Sequence, residues 1–95
     1  MRVFIVGKYD KDQDRYFPIK VFPSTDKDEN FSERLDKNVN KFFENIYSNP
    51  DYTNILIKRC ICFEKERFAL YNVFYNIGEK RYGKAYEVFE REVEE

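Results

Sequence analysis

The sequence contains no histidine, no tryptophan and only three glycines. Histidine is the commonest general base near neutral pH and the usual partner of a serine or cysteine nucleophile, so its absence excludes those catalytic pairs. With Gly7, Gly78 and Gly83 as its only glycines, the sequence predicts no glycine-rich phosphate-binding loop. We therefore expect the protein not to be an enzyme.

Residues that bind metals or form disulfides are equally sparse. Cys60 and Cys62 are too close together for an ordinary disulfide, and two thiols cannot complete a tetrahedral zinc site. The acidic segment 10–14 has the DxDxD opening of a calcium-binding loop, but Arg15 replaces the required glycine and Val21 the required glutamate. The sequence therefore predicts no metal and no cofactor.

Long apolar runs are missing as well. The apolar start of the chain, residues 1–6, is too short for a signal peptide, and no stretch approaches the roughly 18 apolar residues of a membrane helix. We expect a cytoplasmic protein that makes no membrane contact. The abundant Phe, Tyr, Ile, Asn and Lys have AT-rich codons, a bias that fits a phage, a plasmid or a low-GC bacterium.

The residues that are present predict one folded domain spanning residues 1–95. Hydrophobic residues make up 42% and charged residues 37% of the chain, which is typical of a folded protein with a charged surface. Its net charge of -1 argues against strong non-specific attraction to nucleic acid.

The first half of the chain predicts two strands followed by a helix. Residues 2–9 and 15–22 are β-branched and aromatic, and Pro18 places the second strand at a sheet edge or on a bulge. A helix is expected to begin at Asn30, with Glu33 completing a capping box, and to end at Ser48-Asn49-Pro50.

The second half predicts a hairpin and another helix. Residues 54–63 and 67–77 read as strands, although the spacing of aromatics in 67–77 also fits a helix. Residues 80–94 have apolar residues at helical spacing. The expected fold is α+β, in the order ββαββα, with one four-stranded, mainly antiparallel sheet against two helices. Residues 15–22 align with 67–74, so 2–48 and 54–94 are possible ββα repeats.

Two surfaces are expected to carry more aromatic or acidic residues than folding alone requires. Two helices on one side of a four-stranded sheet leave the other side bare, and we expect that side to be rich in tyrosine and aliphatic residues. The predicted C-terminal helix carries an excess of glutamates near its end, where the helix dipole prefers bases. The candidate partner-binding residues are Tyr71, Tyr75, Tyr82, Tyr86, Glu87, Glu90 and Glu94.

These features favour a small non-catalytic protein-binding module, such as a phage or mobile-element inhibitor or adaptor of a host protein. The partner is expected to be a protein, including a second copy of the chain as a homodimer. The alternative is a single-stranded nucleic-acid-binding domain that uses Lys58, Arg59, Arg67 and the sheet tyrosines Tyr71 and Tyr75.

Overall fold

The computed structural model describes residues 1–24 and 30–94, which form five β-strands and one α-helix. The strands form a single antiparallel sheet in the order β2-β1-β5-β4-β3. The helix, α1, follows β2 in the chain and packs on one face of the sheet. The elements are β1 (Arg2–Asp10), β2 (Arg15–Pro23), α1 (Phe31–Ile46), β3 (Tyr52–Phe63), β4 (Phe68–Ile77) and β5 (Lys80–Glu92).

The α+β class and the first five elements are as predicted, and residues 67–77 belong to a strand. The prediction of a four-stranded sheet with two helices was wrong, because residues 80–92 form the strand β5. Ile77 pairs with Lys80, so Gly78 and Glu79 alone make the turn, and Gly78 has the positive φ of 61° that such a turn requires. This tight hairpin places β5 directly against β4. The two segments considered as possible ββα repeats therefore differ in structure. The described residues of 2–48 form two strands and a helix, whereas 54–94 contain three strands and no helix.

The position of β2 at a sheet edge, predicted from Pro18, is confirmed. Pro18 pairs with Gly7 beside a register shift in the ladder, and β2 lies at the outside of the sheet. Proline has no N–H to donate, so an edge position next to a bulge leaves no ladder hydrogen bond unmade.

α1 begins after Asn30, as predicted, but the expected capping box does not cap it. Asn30 makes no side-chain cap hydrogen bond. The carboxylate of Glu64, in the turn between β3 and β4, instead accepts the N–H groups of Phe31 at 3.0 Å and Ser32 at 2.8 Å. The hydrogen bonds from Ser32, and then from Phe31, lower the pKa of Glu64. A residue of the β3–β4 turn thus caps the helix and anchors its start.

The core lies between α1 and the sheet face that it covers. The helix contributes a stripe of buried side chains, and β1, β4 and β5 contribute alternate residues. Phe43 illustrates the packing, because its ring lies 5.2 Å from that of Tyr71 and 4.8 Å from that of Tyr86, centroid to centroid. The fully buried core side chains include Phe4, Val6, Phe31, Leu35, Val39, Phe43, Ala69, Val73 and Val88.

One ion pair joins the two layers inside this core. Arg34 of α1 donates from Nε to Oε2 of Glu90 at 2.7 Å and from Nη2 to Oε1 at 2.6 Å. The residues are 4% and 0% exposed, so the pair is fully desolvated. The hydroxyl of Ser24 adds a hydrogen bond to Glu90 at 3.2 Å. Such a two-point contact fixes where α1 lies along the sheet.

Within residues 1–24 and 30–94, no helix is long and apolar enough to cross a membrane.

Candidate interaction surface

The two faces of the sheet differ because α1 covers only one of them. Side chains alternate between faces along each strand, and the strand register fixes which residues share a face. Tyr71 pairs with Tyr86, and Ala69 with Val88, on the face beneath α1. Phe68 and Phe89 pair on the opposite face, which no described element covers. We call that second face the open face.

The predicted sheet tyrosines lie beneath the helix. Tyr71, Tyr75 and Tyr86 are 2%, 6% and 2% exposed. Burial raises the pKa of each of the three hydroxyl groups, and the Tyr86 hydroxyl forms a hydrogen bond of 2.5 Å with that of Tyr47. Tyr82 is 40% exposed and stacks on Tyr75. The face that carries these tyrosines is thus mostly core, and the open face carries phenylalanine and aliphatic residues.

An unbroken apolar row crosses the open face from one edge to the other. Ile5 pairs with Val21 on one side and with Phe89 on the other. Phe89 pairs with Phe68, and Phe68 with Phe63. The centroid of the Phe68 ring lies 4.8 Å from that of the Phe89 ring and 6.2 Å from that of the Phe63 ring, so the three rings follow one another across the face. All five strands therefore contribute one apolar side chain to a continuous strip.

The next row on the open face holds a carboxylate at its centre. Glu87 lies between Gly7 of β1 and Leu70 of β4, and Leu70 is followed by Ile61 of β3. A Cβ on Gly7 would come within 3.1 Å of Cγ of Glu87, so glycine leaves the room that this side chain occupies. Burial raises the pKa of Glu87, and it forms no ion pair or hydrogen bond with the described residues.

Arginines mark the two ends of the open face. Arg91 lies over the Phe89 ring, 4.9 Å from its centroid, and Arg81 lies 5.8 Å from the centroid of Phe74. A cation over a ring face is held by the ring quadrupole. The charge pattern along β5 is therefore positive, negative, positive, with the negative charge of Glu87 in the middle.

The acidic residues of the C-terminal segment do not form one surface. Glu87 is on the open face, Glu90 is in the core, and Glu94 is exposed beyond the end of β5. Because β5 is a strand, successive residues point to opposite faces, and no acidic helix face forms in residues 80–92.

The basic residues considered for nucleic acid do not converge either. Arg59 bonds to the Asp36 carboxylate at 3.1 Å and to the Ser32 carbonyl at 3.2 Å. Arg67 contacts the carboxylates of Glu92 and, at 3.8 Å, Glu90. Lys58 projects from the open face instead, opposite Asn72. With Tyr71 and Tyr75 buried, no stacking surface joins these three cations.

The acidic turn and the two cysteines, which the sequence offered for metal binding, make local structural contacts. In the β1–β2 turn, Asp10 accepts the backbone N–H groups of Asp12 at 2.9 Å and Gln13 at 3.4 Å, which closes the turn. Cys60 is exposed and accepts a hydrogen bond from Asn72, while burial raises the pKa of the half-buried Cys62. Among the described residues, no group of three or more His, Cys, Asp or Glu side chains could hold a metal ion.

A cleft of about 880 Å³ adjoins the open face where two hairpins diverge. β1 pairs with β5 only as far as Lys8 and Tyr86, after which the β1–β2 hairpin separates from the β4–β5 hairpin. Lysine and aromatic side chains from both hairpins line the cleft. Sequence patterns alone did not indicate this cleft, because it depends on where the β1–β5 pairing stops.

Comparisons with protein-family models, with curated proteins and with solved structures found no match. The contacts and charges of this chain therefore carry the functional interpretation.

Proposed function

We propose that the protein is a small non-catalytic binding module whose open face docks on another protein. In this proposal it acts in the cytoplasm as an inhibitor or adaptor, and the residue usage fits a phage or mobile-element origin. The observation that carries the proposal is the apolar row of Val21, Ile5, Phe89, Phe68 and Phe63, which runs across all five strands and is covered by no element of residues 1–24 and 30–94. Large exposed apolar patches usually mark interaction sites.

The size of the open face suits a protein partner. Five strands about 4.8 Å apart, taken over the length of the ten-residue strand β4, give a face of roughly 600 Å² in plan. A standard protein–protein interface buries about 800 Å² on each partner. Exposed side chains at the face, such as Phe63 at 49% and Val21 at 55%, extend the area that a partner can cover.

The charges of the open face support a partner that carries a cation. Glu87 lies between Gly7 and Leu70 without an ion pair among the described residues, so a partner's cation opposite it would offset the cost of desolvating its carboxylate. The fitting partner presents an apolar surface with a lysine or arginine opposite Glu87. Two copies of this chain stacked about Glu87 would bring two carboxylates together, so a different protein is the better occupant.

Site-specific photo-cross-linking tests the proposal. A photoreactive phenylalanine analogue at Phe63 lies on the open face, and the same analogue at Lys41 lies on the exposed side of α1 as a matched control. We expect a discrete cross-linked protein of different sequence from position 63 only. Adding Glu87→Lys should abolish that cross-link, whereas Glu87→Gln should weaken it, because only the lysine repels the partner's cation.

Three results would overturn the proposal. Cross-links of equal yield from positions 63 and 41 would indicate non-specific contact. A cross-link between two copies of this chain, with a dimer in light scattering, would make the occupant a second copy. A cross-link at position 63 that persists in Glu87→Lys would remove Glu87 from the interface.

A further inference from the structure

The cleft between the two hairpins contains an unpaired length of strand edge. β5 pairs with β4 from Lys80–Ile77 to Phe89–Phe68. On its other side, its pairing with β1 ends at Tyr86. Residues 80–85 of β5 therefore have no partner strand on that side among the described residues, and residues 82–85 line the cleft.

The register identifies which main-chain groups face the cleft. Val93 donates its N–H to the Met1 carbonyl at 2.7 Å and accepts from the Met1 amine at 3.4 Å, so residues 1 and 93 form a hydrogen-bonded pair. Such pairs alternate along an antiparallel ladder. Odd-numbered residues of β5 thus direct N–H and C=O groups towards β1, and Arg81, Gly83 and Ala85 direct theirs into the cleft.

Small side chains leave this edge accessible from the open side. Gly83 has no side chain, and Phe74 of β4 lies against it, since a Cβ there would be 3.1 Å from two ring carbons. Ala85 is the next residue on the same face. An additional strand could therefore approach the edge, and its side chains on this side would lie over Gly83 and Ala85 beside the Phe74 ring.

Three lysines line the cleft without an ion pair to any residue that the structure describes. Lys8 and Lys84 point to the helix side of the sheet, and Lys11 comes from the β1–β2 turn. None of the three forms an ion pair with a described residue. Among the described residues of the lining, Asp10 is the one carboxylate, and it accepts the backbone N–H groups of its own turn. The described lining thus carries a net charge of +2, three lysines against one aspartate, in a chain of net charge -1.

We propose that this cleft binds an extended acidic peptide segment, which adds to the sheet as a strand along residues 80–85 of β5. Main-chain hydrogen bonds supply affinity in such strand addition, and alternate side chains supply specificity. Peptide residues opposite Gly83 and Ala85 exchange hydrogen bonds with them and are apolar. The intervening residues point to the helix side and are acidic, next to Lys8 and Lys84.

A peptide fits this cleft better than a nucleic acid does. Three N–H groups and three C=O groups, at Arg81, Gly83 and Ala85, recur at the spacing of a strand, and only another main chain matches them. The inference goes beyond the proposed function, because it stands whether or not the open face is an interface.

The test uses a capped eight-residue peptide of alternating glutamate and valine with a fluorescent label. We expect anisotropy to show binding that is lost with a lysine–valine peptide of the same length. The Lys84→Glu variant should weaken binding about tenfold or more, since one cation becomes an anion in the cleft. The control Lys58→Glu makes the same charge change on the open face outside the cleft and should leave the affinity unchanged.

N-methylation distinguishes strand addition from simple charge attraction. Methylating the valine nitrogens blocks the N–H groups that face Gly83 and Ala85, so binding should be lost. Methylating the glutamate nitrogens alters N–H groups that point away from β5, so binding should persist. On addition of the unmodified peptide, amide hydrogen exchange should slow at Arg81, Gly83 and Ala85.

Several outcomes would overturn the inference. These are equal affinity of the two methylated peptides, equal loss in Lys84→Glu and Lys58→Glu, no binding at millimolar peptide, or tighter binding of single-stranded oligothymidylate than of the acidic peptide. Circular dichroism of each variant shows that it is folded. Cross-linking from Phe63 in the Lys84→Glu variant reports the open face separately, so failure at one site is distinguishable from failure at the other.

Discussion

Replacing Arg34 by methionine tests how the helix is held on the sheet. The change removes both hydrogen bonds to Glu90, at 2.6 and 2.7 Å, while methionine fills much of the same volume. The Glu90 carboxylate is left 0% exposed, with the Ser24 hydroxyl at 3.2 Å and the Arg67 guanidinium at 3.8 Å. Neither contact replaces a two-point ion pair.

The expected loss of stability follows from this geometry. Removing one partner of a buried ion pair costs about 3–5 kcal/mol, because the remaining charge stays desolvated. A domain of this size has about 5–15 kcal/mol of unfolding free energy in total, so Arg34→Met should approach the limit of folding. The double variant Arg34→Met/Glu90→Leu buries no charge in this pair and should regain most of the loss, since apolar replacements of buried pairs are often neutral or stabilising.

Urea unfolding followed by circular dichroism measures these differences. Arg59→Met is the matched control, because Arg59 pairs with Asp36 at 3.1 Å with side chains 32% and 60% exposed. That exposed pair should contribute at most about 1 kcal/mol. A loss in Arg34→Met no larger than that in Arg59→Met would contradict the role of the buried pair. So would a double variant whose loss of unfolding free energy equals the sum of the losses in Arg34→Met and Glu90→Leu.

Three further predictions concern the helix cap, the β4–β5 turn and a buried hydroxyl pair. Glu64→Gln should cost about 1 kcal/mol at pH 7 by urea unfolding. Hydrogen bonds from Ser32 lower the folded-state pKa of Glu64 below its ordinary 4.5. The stability difference between the two proteins should therefore be complete above pH 4.5 and disappear as the pH falls through the folded-state pKa. A pH-independent difference would contradict this prediction. Gly78→Ala should cost about 1–2 kcal/mol and Gly78→Asn less, because φ is 61°, whereas a stabilising Gly78→Ala would argue for a helix. Tyr47→Phe should cost about 1–2 kcal/mol by leaving the Tyr86 hydroxyl buried without this partner, and an unchanged unfolding midpoint would count against the bond.

The sequence predicts the local elements of this fold better than their partners. The helix Phe31–Ile46 shows a clear apolar stripe, and four strands show β-branched and aromatic runs. β5 was missed because its aromatics satisfy two periods at once. Tyr82 and Tyr86 are four residues apart, which fits a helix, yet they also lie on one face of a strand. The turn at Gly78 was the better signal, since two residues suffice to reverse a strand.

The covered face could not be assigned from the sequence for a related reason. Both faces of β4 are apolar, with Tyr71 and Tyr75 on one and Phe68 and Phe74 on the other. Only the position of α1, which packs against Tyr71 through Phe43, determines which set is core. The ion pair that fixes this position joins residues 56 apart in the chain, and no local pattern indicates it.

The central claim, that the open face binds a protein carrying a cation opposite Glu87, is tested most directly by titration calorimetry with the cross-linked partner. Glu87→Lys and Glu94→Lys make the same charge change, but Glu87 lies among the apolar rows and Glu94 is exposed beyond the sheet. We predict that Glu87→Lys raises the Kd by about a hundredfold or more, a loss of about 3 kcal/mol, while Glu94→Lys changes it less than about threefold. Equal effects of the two substitutions, or an unchanged Kd for Glu87→Lys, would contradict the claim.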